Sequence, residues 1–442
     1  MTDTELNKTL DKLSSISFCA RGNKTFEFTS LAHHLNEIFL EDCYKSLDRN
    51  KAVGIDNVSW KEYGLELKRN IAGLVVKLRK KTYKPLPSKR VYIPKGPGEY
   101  RPLGISAIET KIVEMGVTRI LGSIYESDFY DFSYGFRPKK SAHQALKVLG
   151  DAINFKPVNF IVEADIKGFF DNVPHELLLE FIKVRVKDSS LLYLLERFLV
   201  AGYVEDKHLT VTDRGTPQGS ILSPMLSNIF LHYVLDKWTD EIVQTHTRGY
   251  TQIVRYADDF VIMVQSEYDA KRVINSLSKR FNKYGLELHP NKTRVFSFGR
   301  MEKAVAKREK RKANTFDFLG FTHYCDKTRK GHFKVGRKTS AKKFRAKVKD
   351  LNLWLKAIRN TVQTKDWWKV LGAKLRGHYG YYGVSENYRS IWKFYMLAIK
   401  LAKKWMNRRS QKKAMNWDKM ENYLQLYPLP KPKIMHNFYA VT

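Results

Sequence analysis

Cysteine is scarce in this sequence, and it contains no long apolar runs and no surplus of acidic residues. The 442 residues include three cysteines, which lie far apart and form no Cys-x-x-Cys pair. This spacing excludes a zinc ribbon or zinc knuckle and argues against a framework of disulfides. No apolar stretch approaches the roughly 20 residues that cross a bilayer, and the polar start lacks the apolar core of a signal peptide. We therefore expect a soluble, intracellular protein.

Positive charge is the strongest feature of the composition. Lysine and arginine number 79 against 45 acidic residues, which gives a formal net charge of +34. Such a charge is typical of a protein that binds a polyanion, either a nucleic acid or an anionic membrane surface. Because no segment is long enough to span a membrane, nucleic acid is the better candidate. With 43% apolar residues, the chain can fill the cores of two or three domains.

The pattern of apolar residues divides the chain into regions. We expect the polar residues 1–25 to be mobile, and a helical pattern broken at 54–58 follows them. Residues 88–320 mix short strand-like runs with helical ones, which predicts an α+β fold with a mainly antiparallel sheet. A dense lysine and arginine stretch at 301–350 leads into a helical, aromatic segment at 350–434.

Two adjacent carboxylates, Asp258 and Asp259, lie between two apolar runs that each predict a short strand, 252–255 and 260–264. Neighbouring side chains on a strand point to opposite faces, so a turn is needed to let both approach one ion. Two like charges this close repel each other, and a divalent cation is the usual compensation. Because aspartate is also a common turn residue, the pair taken alone favours an ordinary Asp-Asp turn.

A further carboxylate follows an apolar strand in a similar way. The strand-like run 160–164 delivers Asp165 at its end, before a turn and a helix that starts near 174–176. Later, the glycine-rich segment 214–224 opens another helix. Its backbone amides and the helix N-terminus would suit a phosphate or a nucleic-acid backbone.

These segments resemble the reverse transcriptases, and among them the maturase reverse transcriptases encoded by group II introns. The motifs that carry the resemblance follow the family's order and spacing. They are Ile93-Pro94-Lys95, Arg101-Pro102-Leu103-Gly104-Ile105, Ser133-Tyr134-Gly135-Phe136-Arg137-Pro138, Ala164-Asp165-Ile166-Lys167-Gly168-Phe169-Phe170-Asp171, Gly215-Thr216-Pro217-Gln218-Gly219-Ser220, Tyr256-Ala257-Asp258-Asp259, Gly285-Leu286-Glu287-Leu288, Asn291-Lys292-Thr293 and Phe318-Leu319-Gly320-Phe321. One block alone would be a weak signal, whereas a series in register is a strong one.

The resemblance implies a right-hand polymerase. We expect an N-terminal extension and the start of the fingers in residues 1–84, and fingers and palm with an antiparallel sheet in 85–324. An all-helical thumb or maturase (X) domain is expected in 325–442. The lack of cysteine pairs, together with a sequence that ends eight residues after Ile434, predicts a form without the endonuclease that many family members carry. We expect the protein in the cytoplasm of a bacterial cell.

The resemblance also implies catalytic roles for the carboxylates. In a two-metal polymerase, carboxylates from two strands converge on two Mg²⁺ ions about 3.5–4 Å apart, and Mn²⁺ can substitute. One ion activates the primer 3′-hydroxyl, and the other neutralises the leaving pyrophosphate. Asp165 and Asp258 are expected to bridge the ions, with Asp259 as a supporting metal ligand.

Lys95 and Arg101 match the family's pair of cations that grips the triphosphate of the incoming nucleotide. Two solvated charges flanking a hairpin would have the same sequence. Lys292 matches a lysine near the leaving phosphate that could act as a general acid, and a plain surface lysine is an equal alternative.

Other residues are expected around the nucleotide by the same resemblance. Phe170 matches the bulky steric gate against a ribose 2′-hydroxyl, with Phe169 as the alternate, and Gln218 would lie beside the nucleotide sugar or the template base. Arg137 could touch the template or hold the fingers, and the sequence leaves this open. We interpret His175 as a helix-start residue rather than a metal ligand, because metal sites need clusters.

The resemblance implies synthesis of DNA from dNTPs on an RNA template with a DNA primer, and binding of the parent intron RNA to assist splicing and mobility. Two alternatives remain, an RNA-binding splicing factor without polymerase activity and a domesticated reverse transcriptase in phage defence or repair. The aromatic, basic segment 350–410 could stack on and clasp RNA. A helical bundle with an aromatic core explains this segment equally well.

Overall fold

The fold is known from a computed structural model that describes residues 3–96, 99–409 and 415–439. Internal contacts divide the chain into two units. The first unit comprises Met1–Ala142, Val162–Ile262 and Tyr268–Val295, and the second comprises His143–Ile161, Met263–Glu267 and Phe296–Thr442.

Helices account for most of the regular structure. They are α1 Asp3–Gly22, α2 Glu37–Ser46, α3 Trp60–Leu65, α4 Leu67–Arg79, α5 Ile108–Tyr125, α6 Ala142–Phe155, α7 Phe169–Asn172, α8 His175–Lys183, α9 Ser189–Val200, α10 Ser223–Leu231, α11 Gln244–His246, α12 Glu267–Lys283, α13 Arg300–Arg308, α14 Ala341–Ile358, α15 Thr364–Tyr382, α16 Tyr388–Met406 and α17 Trp417–Leu426. A 3₁₀ turn forms at Ala32–His34, and two π-helical turns form at His232–Asp236 and Thr239–Val243.

The strands form three small sheets. They are β1 Ser88–Gly96, β2 Glu99–Ile105, β3 Phe160–Ala164, β4 Tyr203–Glu205, β5 His208–Thr210, β6 Thr251–Tyr256, β7 Asp259–Val264, β8 Arg294–Ser297, β9 Thr315–Phe318, β10 Phe321–Lys327 and β11 Phe333–Thr339. The sheet orders are β2-β1-β4-β5, β6-β7-β3-β8 and β11-β10-β9. This confirms an α+β fold with largely antiparallel pairing, to which the parallel contact of β1 with β4 is an exception.

The N-terminal region differs from the expectation of a mobile segment. Asp3–Gly22 forms α1, whose buried residues include Ile16 and Ala20, and the helix contacts α2 and α5. The buried guanidinium of Arg185 donates to the carbonyl oxygens of Ala20 and Asn23 at 3.4 and 3.3 Å. The helix was not predicted from the sequence because its apolar stripe is narrow. In addition, Arg185, which donates hydrogen bonds to carbonyl oxygens at the end of the helix, is distant in the sequence.

The sheet β6-β7-β3-β8 positions the predicted carboxylates. Strand β7 is buried along almost its whole length, as a central strand covered on both faces should be. The amide of Asn159, just before β3, donates to the carbonyl of Val264 at the end of β7 at 3.1 Å. The two strands are therefore antiparallel, and the end of β3 lies beside the start of β7. Asp165 and the turn between β6 and β7 consequently share one edge of the sheet.

In the second unit, the expectation of an all-helical region from residue 325 onward is wrong. Strand β11 pairs with β10 in an antiparallel register that joins Cys325 to Val335 and Phe321 to Thr339. Arg337 is buried in β11 and donates to the carbonyl of Leu146 at 3.1 Å. A buried arginine at a position where a strand usually carries an apolar residue conceals the alternation that predicts a strand. The helices α14 to α17 follow the sheet, as the sequence predicted.

Candidate active site

Ala257 and Asp258 form the turn that joins β6 to β7. Ala257 adopts a left-handed backbone conformation with φ of 57°, which costs a residue with a side chain about 1 kcal/mol and is typical of tight turns at functional sites. Asp258 is half-buried, and Asp259 is exposed at the first position of β7. Gly135 lies so close that an added Cβ would be 2.3 Å from the amide nitrogen of Ala257. Only glycine can therefore support the turn from this side.

A buried arginine, which the sequence did not indicate as a site residue, holds this turn from behind. Arg255 and Asp236 are both fully buried, and the Nε of Arg255 donates to Asp236 Oδ1 at 2.7 Å. Its Nη1 donates to Asn228 Oδ1 and to the carbonyl oxygen of Ala257, both at 3.0 Å. Asp236 ends a π-helical turn, a rare feature that occurs often at functional sites. The cation therefore connects the helix that follows the glycine-rich turn to the backbone of the carboxylate turn.

The negative charge of Asp165 acts on Asp258. Burial raises the pKa of Asp258 above its ordinary value, and the negative charge of Asp165 raises it further. Arg101 and Arg255 lower this pKa. Asp165 also accepts a hydrogen bond from the Nζ of Lys292 at 2.6 Å, with the two side chains 35% and 55% exposed. The structure thus brings together two predicted carboxylates and a predicted lysine.

The donor set fits a divalent cation. Two carboxylates whose charges oppose each other are stabilised by a cation between them, and oxygen ligands are the ones that Mg²⁺ prefers. The ammonium of Lys292 already compensates Asp165 in this structure. Within the described ranges, no group of three or more histidine, cysteine, aspartate or glutamate side chains is placed to hold a metal ion.

Arg101 and Gln218 are in direct contact. The Nε of Arg101 donates to Gln218 Oε1 at 2.9 Å, and the backbone amide of Gly104 donates to the carbonyl oxygen of Gln218 at 2.6 Å. Two residues that the sequence assigned separately to the nucleotide thus contact each other directly. The positive charge of Arg101 also lowers the pKa of Asp258. The side chain of Lys95, the other predicted triphosphate ligand, lies outside the part of the chain that the structure describes.

The glycine-rich turn differs from the phosphate cradle that we expected. Its amides donate within the protein: Gly215 to the carbonyl of Val173 at 2.8 Å, Thr216 to that of Phe170 at 2.7 Å, Ser220 to that of Pro217 at 3.1 Å, and Ile221 to Glu114 Oε2 at 3.0 Å. These amides are not free for a phosphate, so that interpretation is wrong for them. The glycines instead allow close packing, since a Cβ on Gly219, with φ of 108°, would lie 2.6 Å from the carbonyl oxygen of Gly104.

The two phenylalanines after Asp165 have different surroundings. Phe169 is 2% exposed and packs against Phe230, with ring centroids 6.5 Å apart. Phe170 is 9% exposed, and its carbonyl accepts the amide of Thr216 in the glycine-rich turn. Both rings are buried and contact each other with centroids 5.4 Å apart, so Phe170 stays the predicted steric gate and Phe169 its alternate.

Arg137 and His175 are both structural. Arg137 is buried, and its guanidinium donates to Glu126 Oε1 at 2.8 Å and to the carbonyl oxygen of Ser133 at 2.8 Å. It therefore holds the loop that leads to Gly135. His175 begins α8, as the sequence predicted, and its Nε2 lies 2.6 Å from the carbonyl oxygen of Gly215.

The carboxylate pair at the edge of a sheet occurs in a chain whose sequence matches a known polymerase family. The sequence model of the family "Reverse transcriptase (RNA-dependent DNA polymerase)" matches residues 93–323, more than half of the chain. The chain therefore belongs to the reverse transcriptase family. Members of this family generally depend on a divalent metal.

Proteins encoded by introns are among its relatives. It is 32% identical over 351 residues to the Group II intron-encoded protein LtrA of Lactococcus lactis subsp. cremoris, covering 66% of this chain and 58% of LtrA. It is 34% identical over 212 residues to Protein YkfC of Escherichia coli K12, covering 41% of this chain and 55% of YkfC. It is 37% identical over 155 residues to the Putative COX1/OXI3 intron 2 protein of Saccharomyces cerevisiae, covering 35% of this chain and 18% of that protein.

These similarities confirm the resemblance to group II intron-encoded reverse transcriptases. The chain spans little more than half the length of LtrA and of YkfC. Among the described residues, no helix combines the length and apolar character needed to cross a membrane.

Proposed function

We propose that this protein is an RNA-directed DNA polymerase of a group II intron, which also binds its intron RNA to assist splicing and mobility. The observation that carries the proposal is the convergence of Asp165 and Asp258 at one sheet edge, where the charge of one raises the pKa of the other. The membership of the reverse transcriptase family and the similarity to LtrA support the nature of the substrate.

In this proposal Asp165 and Asp258 bind two Mg²⁺ ions, with Mn²⁺ as a substitute, and Asp259 supports the site. The bound ions would activate the primer 3′-hydroxyl and neutralise the leaving pyrophosphate. Arg255 keeps the carbonyl of Ala257 in place and thereby fixes the orientation of the turn that carries Asp258. The strain of the turn is offset by this buried support.

Lys292 would change partner during the reaction. Its ammonium donates to Asp165 Oδ2, an oxygen that would also hold a metal ion. Once released, the Nζ of Lys292 can donate its proton to the leaving phosphate as a general acid. A flexible lysine suits this exchange because its charge sits at the end of a four-carbon stem.

Nucleotide selection is assigned to the neighbouring residues. Arg101 would grip the triphosphate together with Lys95, and the contact with Gln218 pre-orients the guanidinium of Arg101. Phe170 would exclude a ribose 2′-hydroxyl. Gln218 would lie beside the nucleotide sugar or the template base.

The larger layout follows from the same proposal. Residues 1–84 would provide the N-terminal extension and the start of the fingers, 85–324 the fingers and palm, and 325–442 the thumb or maturase domain. The net charge of +34 favours extended contact with RNA and with the template and primer. A cytoplasmic location in a bacterium is consistent with this role.

The test is primer extension on an RNA template with dNTPs and Mg²⁺ by the wild type and Asp258→Asn. We expect Asp258→Asn to lose more than about a hundredfold in rate, since even the outer partners of a metal ligand are worth about 10–100-fold. Asp206→Asn is the matched control, because Asp206 is exposed on the β4–β5 turn, which carries none of the predicted site residues, and adopts a φ of 48° that asparagine tolerates. A wild type that binds intron RNA tightly but makes no cDNA would instead identify a splicing factor without polymerase activity.

A further inference from the structure

Glu114 is a buried carboxylate that the catalytic scheme above does not use. It lies in α5 and is 4% exposed. Burial raises its pKa to about 6, although hydrogen bonds from Ile221, Ser220 and Ser106 act in the opposite direction. Burying a carboxylate costs free energy unless hydrogen bonds compensate it, so the partners of Glu114 indicate its role.

The partners of Glu114 lie on two separate segments. Its Oε2 accepts a hydrogen bond from the backbone amide of Ile221 at 3.0 Å, in the last part of the glycine-rich segment. Its Oε1 accepts the hydroxyl of Ser106 at 3.1 Å, directly after β2. One side chain thus joins the end of the strand that carries Arg101 to the end of the turn that carries Gln218.

The same two segments touch at the nucleotide site. The amide of Gly104 donates to the carbonyl of Gln218 at 2.6 Å, and Arg101 donates to the side chain of Gln218 at 2.9 Å. Ser106 follows Gly104 by two residues, and Ile221 follows Gln218 by three. Glu114 therefore links the two segments a second time, through Ser106 and Ile221, beyond the contact between Gly104 and Gln218.

We propose that Glu114 is a positioning residue that holds Gln218 against Arg101 and thereby sets the affinity for the incoming dNTP. The inference rests on the proposed polymerase function. Glu114 does not touch the nucleotide, and its action passes through the backbone at Ile221 and the hydroxyl of Ser106. Loss of the carboxylate leaves the half-buried amide of Ile221 without its acceptor, and the turn relaxes away from β2.

The ionisation of Glu114 provides a signature for this role. The carboxylate accepts from an amide and from hydroxyls at once, whereas the protonated group has one acceptor fewer. Lys111 on the same helix and Tyr83 also interact electrostatically with Glu114, and Ser106 and Ser220 face it from the neighbouring segments. At the other end of the turn, the titratable His175 contacts the carbonyl oxygen of Gly215, and Arg101 contacts Gln218.

The test compares Glu114→Ala and Glu114→Gln with the wild type by steady-state primer extension over a range of dNTP concentrations and pH. Removing a hydrogen bond to a charged group should raise the KM for dNTP by about 10–100-fold in Glu114→Ala, with kcat and template-primer affinity close to wild type. In the wild type, KM should rise as the pH falls through about 6.

Glu114→Gln keeps an acceptor for Ile221 and the size of the side chain, so it should restore most of the affinity at neutral pH and abolish the rise of KM in acid. Glu109→Gln, on the same helix but half-buried and paired with Lys77 instead of with the glycine-rich segment, is the matched control and should behave as the wild type. An unchanged KM in Glu114→Ala would overturn the inference. So would a Glu114→Gln variant that keeps the acid rise. A wild type that extends no primer refutes the proposed function itself, a result distinct from either of these.

Discussion

Variants of the buried ion pair between Arg255 and Asp236 can distinguish two roles of Arg255. One role is to stabilise the fold, and the other is to hold the turn that carries Asp258. Both side chains are 0% exposed, and Arg255 also donates to Asn228 and to the carbonyl of Ala257. Asp236→Asn retains the shape of the side chain but leaves the guanidinium without its counter-charge. Removing one partner of such a pair costs about 3–5 kcal/mol, a large part of the about 5–15 kcal/mol that stabilises a typical domain.

Replacing both partners gives a different result. Arg255→Met combined with Asp236→Leu removes both charges and fills the same space with apolar groups, which is often neutral or stabilising by about 1–4 kcal/mol. We expect this double variant to recover the urea midpoint that Asp236→Asn loses. Catalysis should not recover, because the double variant also lacks the hydrogen bond from Arg255 to the carbonyl of Ala257.

The assay combines urea denaturation with primer extension at saturating dNTP for the wild type, the single variant and the double variant. Arg69→Met, which breaks an exposed ion pair with Glu66 at 3.0 Å, is a control that should change little in either measurement. The reasoning fails if the double variant is stable and also extends primers at the wild-type rate. In that case the turn keeps its geometry without Arg255.

Two other predictions concern individual residues of the site. Lys292→Gln removes the ammonium that competes for Asp165, so the Mg²⁺ concentration for half-maximal extension should fall. The fall should be up to about fivefold, because an exposed ion pair is worth about 0.2–1 kcal/mol. The kcat should also fall, because the general acid is lost. A rise in that Mg²⁺ concentration would contradict the exchange of partners. Phe170→Ala should admit ribonucleotides in extension assays, whereas Phe169→Ala should lower the free energy of unfolding by about 3–5 kcal/mol; the reverse pattern would make Phe169 the gate.

The local structure around the carboxylates was largely predictable. Alternation and apolar runs predicted β3 with its observed bounds, and they placed Asp258 in a turn between two strands. These are properties of a few consecutive residues, so they can be read from the chain directly. The family motifs then identified Asp165 as the partner of Asp258, which no local pattern could do.

The supports of the site were not predictable in the same way. Arg255 occurs within an apolar run, and its partner Asp236 lies in a π-helical turn that has no simple sequence pattern. Glu114 resembles any polar residue of a helix until the fold brings Ile221 to it. The amides of the glycine-rich turn seemed free because their acceptors, such as the carbonyl of Phe170, are distant in the sequence. Each of these features depends on tertiary contacts that segment-by-segment reasoning does not contain.

The hydrogen bond between Arg101 and Gln218 has a consequence for attempts to alter the accuracy of copying. In the proposed scheme Gln218 lies beside the base or sugar of the incoming nucleotide, so a change of fidelity would be sought there. Such a change would also release the guanidinium of Arg101, which we propose grips the triphosphate. Selectivity and substrate affinity are therefore linked through one contact, and engineering the first without the second requires a replacement at Gln218 that still accepts from Arg101.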